Sequence, residues 1–101
     1  MQKIEMVMDN GQTLQFTLRM AELFKLEDAR PDIYTQVSKG MNGMNKDLPH
    51  AVVDVLYGAY LCANFDDLDS CMNKDAFIEI LPEYGEQMVT YQALIQKKKQ
   101  G

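Results

Sequence analysis

The chain has 101 residues, 47% of them apolar and 25% charged, which suits one small globular domain and is too apolar for a disordered segment. A formal charge of −5 sets it against phosphate backbones and anionic membranes, so neither nucleic acid nor membrane is expected as a partner. Two cysteines, Cys62 and Cys71, without paired spacing, and a start lacking a long apolar run, point to a reducing compartment and against export.

The first predicted element is an antiparallel hairpin over residues 3–18. Ile4, Met6 and Met8 share one face of its first strand, and Leu14, Phe16 and Leu18 share one face of its second. Between them, Asn10-Gly11 predicts a tight turn, because both residue types tolerate positive φ. A lone hairpin is marginal in water, so helices must cover its apolar side.

From residue 19 the period changes to that of a helix, with Met20, Leu23, Phe24 and Glu27 at helical spacing, and this helix stops at about residue 29, ahead of Pro31. Pro31 opens a second helix over 31–43, along which Ile33, Tyr34, Val37, Met41 and Met44 recur at three- and four-residue steps. Gly40 and Gly43 are expected to weaken its last turn. The segment Gly40-Met41-Asn42-Gly43 lacks the Gly-Lys-Ser/Thr ending of a phosphate loop.

Asp47 is the expected N-cap of a third helix over 48–64, apolar almost all round and therefore central, with Gly58, Ala59 and Ala63 allowing a neighbour to approach closely. Residues Asp66 to Ser70 then read as a solvated polar loop. Tested as a calcium loop from Asp67, they fail, because Cys71, Met72 and Ile78 fall where an oxygen ligand, a glycine and a glutamate are required. Asn73 caps a fourth helix over 74–81 with Phe77, Ile80 and Leu81 as its buried stripe, and Pro82 ends it. A fifth helix over 84–98 carries Tyr84, Met88, Tyr91 and Ile95 on one side and finishes on Lys97, Lys98 and Lys99. The sum is a single α+β domain, one hairpin packed on four to five short helices.

Catalysis finds little to work with. His50 is the only histidine, and if it shares the third helix with Cys62 the two stand roughly 18 Å apart, too far for a dyad. Cys71 with His50 stays open as a pairing. One histidine and two cysteines do not make a structural zinc site, so no enzyme activity, cofactor or metal is expected.

Eight methionines and no tryptophan remain as the unusual feature, since methionine is the adaptable apolar side chain favoured where partners vary. A thin core need not absorb every stripe. Met41, Met44, Tyr84, Met88, Tyr91 and Ile95 are therefore the candidate partner-binding residues, weighed against the plainer reading that they fill the core.

Residues 51–64, Ala-Val-Val-Asp-Val-Leu-Tyr-Gly-Ala-Tyr-Leu-Cys-Ala-Asn, with the acidic stretch after them and the run from Phe77 to Glu83, resemble the small tail assembly chaperones of long-tailed phages and prophages of Gram-positive bacteria. The resemblance covers about a third of the chain. It implies a self-associating protein of the host cytoplasm, absent from the mature virion, that binds the tape-measure protein and promotes polymerisation of the tail-tube protein around it. It also implies a longer product made by a ribosomal frameshift, for which the codons of Lys97 to Lys99 could supply the slippery tract. The alternatives carried beside it are a structural subunit of the tail, which would stay in finished particles, and a small non-enzymatic regulator. A DNA-binding regulator would need a basic recognition helix, which the mixed and acidic helices do not offer.

Overall fold

A computed structural model describes residues 4–42 and 48–100 of the chain. Strands β1 (Ile4–Val7) and β2 (Thr13–Phe16) pair antiparallel with Ile4 opposite Phe16 and Val7 opposite Thr13. Five α-helices follow: α1 (Met20–Ala29), α2 (Pro31–Met41), α3 (Leu48–Ala63), α4 (Lys74–Glu79) and α5 (Tyr84–Gln100), with a 3-10 segment at Phe65–Ser70 between α3 and α4. The α+β architecture is thus the one the sequence predicts.

The hairpin turn differs in its details from the expected one. Gly11 alone takes a positive φ, 89°, while Asn10 does not. The Gly11 N–H donates to Met8 O at 2.9 Å and the Met8 N–H to Gln12 O at 2.7 Å. This is a three-residue connection in which an ordinary turn is closed by a left-handed glycine, a solution that needs only one residue in the left-handed region. Asn10 contributes through its side chain instead, its Oδ1 accepting from the Gln12 N–H at 3.0 Å.

Strand alternation buries Met6 and Met8 on one side of β1 and leaves Glu5 and Val7 exposed on the other. Phe16 and Leu18 are buried with them. The Thr17 N–H donates to Ala59 O at 3.2 Å, tying the end of β2 to the middle of α3.

Helix α3 is the centre of the domain, in contact with α1, α2, α4, α5 and β2. Its near-continuous apolar composition makes this possible, because every face has something to bury: Val52, Val55, Leu56 and Ala59 are all inaccessible to solvent. The two valines and the leucine each contribute on the order of 1.5–3 kcal/mol over their exposed state, and the alanine methyl less. Asp47, its expected cap, lies outside the described residues.

Helices α2 and α3 meet at two glycines. A β-carbon on Gly58 would overlap the Val37 Cγ2 methyl, and one on Gly40 would lie 2.8 Å from Val55 Cγ2 and 3.0 Å from the Ala51 carbonyl oxygen. Gly40, expected as a weak point in the last turn of α2, has a further role, since its missing side chain lets α2 lie close to α3. Gly58 does the same from the other side, as expected. Gly43 lies outside the described residues.

Asp54, the one acid within the apolar run of α3, has its side chain largely buried and pairs with the Lys74 ammonium of α4. Lys74 Nζ also donates to Gln36 Oε1 of α2 at 3.1 Å, so one ammonium joins three helices. Directly before Lys74, Asn73 caps α4 as predicted, its Oδ1 accepting from the Ala76 N–H at 2.8 Å.

The stretch expected as a polar loop is instead wound into two short 3-10 turns that meet at a kink at Asp67, with Asp66, Asp67 and Asp69 facing solvent. Two tyrosines of α3 hold the chain that follows it. Tyr57 donates its hydroxyl to Met72 O at 2.9 Å, and the Met72 N–H donates to the Tyr60 hydroxyl oxygen at 3.2 Å. Both rings pack on Phe77, at centroid distances of 5.3 and 5.4 Å, and Phe77 meets Phe16 edge-on at 6.2 Å. Helix α4 ends at Glu79, earlier than expected; Phe77 and Leu81 are buried as the stripe predicts, and Ile80 is half-buried.

Candidate partner-binding surface

Helices α1 and α2 are joined tightly because Pro31 begins α2 directly after Arg30, whose N–H still donates back to Leu26 O at 2.7 Å. The two helices diverge from that corner and leave a groove of about 100 Å³ between them, lined by Met20 and Leu23 of α1 and by Tyr34, Val37, Ser38 and Met41 of α2. A space of this size accepts one large apolar side chain. Leu23 and Val37 form its floor and are buried, whereas Met20 stands 49% exposed on its wall. Phe24, one turn from Met20, is 55% exposed.

Of the candidate residues, Met41 is therefore in this groove. Tyr84 is 41% exposed at the start of α5. Met88, Tyr91 and Ile95 are half-buried and pack against the core. Helix α5 rests on α3 and β1, with Leu94 and Thr90 buried between them. The side of α5 expected to be offered to another chain is thus turned largely inward. The physical reason is that α5 packs on both α3 and β1, which sets Met88, Tyr91 and Ile95 against the core. The Tyr91 hydroxyl donates to Gly40 O at 3.4 Å, which ties α5 to the end of α2. Met44 lies outside the described residues.

Met20 and Phe24 were placed by their spacing on the helical stripe of α1, and only their neighbours Leu23 and Leu26 are buried. Val7, Ile78 and Val89 are the other large apolar side chains exposed among the described residues. Helical spacing showed that α1 has an apolar side but not how much of it the fold covers.

The groups capable of covalent chemistry are dispersed. His50 and Cys62 both lie on α3, His50 exposed near its start and Cys62 buried near its end. Burial, with a smaller contribution from Glu22, pushes the Cys62 thiol up to about 12. Burial also raises Cys71, whose Sγ–H donates to Asp67 O at 3.5 Å. Neither sulfur is held as a thiolate at neutral pH, the form a nucleophile needs. Among the described residues no three His, Cys, Asp or Glu side chains are grouped to hold a metal ion, and no helix is long and apolar enough to cross a membrane.

No protein-family model, no curated protein and no solved structure matches the chain.

Proposed function

We propose that the chain is a tail assembly chaperone of a long-tailed phage, holding the tape-measure protein in the host cytoplasm and promoting tail-tube assembly while itself self-associating. The observation that carries this reading is the groove between α1 and α2, with Met20 and Phe24 exposed beside it and Met41 inside it. A long helical chain with apolar side chains on its surface needs a holder that accepts many different knobs. Methionine suits that task because its unbranched, polarizable side chain repacks around each one. The resemblance of residues 51–64 and 77–83 supplies the identity of the partner; the groove supplies a means of gripping it.

Co-expression with the tape-measure protein of the same phage tests the proposal. The wild-type chain should keep that protein in the supernatant and co-purify with it. Replacing both Met20 and Phe24 with Glu should abolish this while leaving the thermal midpoint of the isolated chain within a few degrees. Equal retention by the double variant would overturn the groove as the gripping surface. Recovery of the chain from purified virions would favour a structural tail subunit instead.

A further inference from the structure

The phase of the hairpin ladder leaves one strand edge open. The Met8 N–H donates to Gln12 O, so ladder bonds recur at Met6/Leu14 and Ile4/Phe16, and Glu5 and Val7 occupy the non-bonded positions between them. The N–H and C=O groups of Glu5 and Val7 therefore point away from β2. The next outward amide, that of Asp9, is already taken by Ile80 O at 2.8 Å, and on the far edge the Thr17 amide is taken by Ala59 O. Among the described residues the main chains of Glu5 and Val7 have no such partner, and both residues are exposed, Val7 to 60%.

An exposed edge with unpaired main-chain groups is a template for an added strand. Charge decides which strand. Glu5 lies on the edge and Asp9 beyond it, and Ile80, bonded to Asp9, is followed by exposed Glu83 and preceded by exposed Glu79. Lys3 precedes the strand, but no other lysine or arginine occurs before Arg19, and none between residues 75 and 96. A second copy docking here would bring these carboxylates together, which like-charge repulsion opposes. A basic strand gains from the same groups.

We propose that the outer edge of β1 takes up an extended, basic segment of a partner protein as a third strand. Glu5 and Val7 lie along the open part of β1, so the incoming strand carries a basic residue beside Glu5 and an apolar one beside Val7; it leaves the edge before Asp9, whose outward amide Ile80 occupies, and a second basic side chain there reaches the Asp9 carboxylate. This surface is separate from the α1/α2 groove and does not depend on what fills it.

The probe is a blocked peptide carrying two copies of Lys-Thr-Val-Thr-Lys, titrated into the labelled full-length chain and followed by amide NMR and hydrogen exchange. The Glu5 and Val7 amides should shift and become protected. Val7→Pro removes one outward N–H yet keeps the net charge and every bond of the hairpin ladder, as proline is tolerated at such an edge. It should weaken binding about tenfold, the value of one lost hydrogen bond. Phe24→Glu, beside the α1/α2 groove, should bind the peptide as the wild type does. Three results would overturn the proposal: unchanged Glu5 and Val7 amides in the wild type, undiminished binding by a folded Val7→Pro variant, which is charge attraction alone, or protection of these amides that grows with protein concentration and without peptide, which is pairing between copies.

Discussion

Val37 fills the space that a side chain at position 58 would need, and this contact, with that of Gly40 against Ala51 and Val55, sets how closely α2 lies against α3. Substituting Gly58→Ala must push the two helices apart or force Val37 off its rotamer. The expected cost is about 1–3 kcal/mol, the usual range for overpacking a filled core. Urea unfolding measures it. Val37→Ala in the same chain should recover part of the loss, because it removes the methyl that the new side chain meets.

The ion pair between Asp54 and Lys74 joins α3 to α4, and Gln36 extends it to α2. Asp54→Ala should cost about 1–2 kcal/mol, the low side of the range for a charged hydrogen bond, because Lys74 is partly exposed and can turn its ammonium to water. A double-mutant cycle with Lys74→Ala checks it. A coupling indistinguishable from zero would mean that the pair holds the helices no better than solvent does.

Asn73→Ala should destabilise the fold by about 0.5–2 kcal/mol through loss of the α4 cap. Asn73→Asp should retain most of the stability, since a carboxylate caps the same N–H and favours the positive end of the helix. Thermal unfolding of the two variants side by side distinguishes capping from simple loss of bulk.

Alkaline pH should unfold the protein through its buried thiol and tyrosines. Burial raises Cys62 from 9.0 to about 12, and burial raises Tyr57 and Tyr60 above their ordinary 10.0 as well. Each group loses its proton first in the unfolded chain, so the unfolded state binds fewer protons over this interval and stability falls as pH rises. The contribution is fully present below about pH 9 and is lost progressively toward pH 12. Denaturation midpoints measured at intervals from pH 7 upward should be flat and then decline. Cys62→Ala should be less stable at pH 7 but should show a shallower decline between pH 9 and 10.

Most of the architecture was legible in the sequence because its signals were local and agreed with one another. An all-apolar run marks α3, alternation around a glycine turn marks the hairpin, and an asparagine three residues before Ala76 marks the start of α4. The 3-10 segment was not legible, because Asp66, Asp67 and Asp69 bury nothing and so leave no periodic trace. The surface was harder still. Spacing assigns Met20 and Phe24 to one side of α1 and Met88 and Ile95 to one side of α5 in the same way. Only the placement of α5 over β1 decides that the second pair is largely covered while the first stands open.

The grip of Tyr57 and Tyr60 on the Met72 peptide also settles what light will report about this molecule. With no tryptophan in the chain, ultraviolet absorbance and emission come from five tyrosines, and these two are the only ones shielded from water. Their spectra will register loosening of the joint between α3 and α4. A partner settling in the α1/α2 groove will be seen instead by Tyr34, so the part of an optical signal that Tyr34→Phe abolishes reports docking and the rest reports melting.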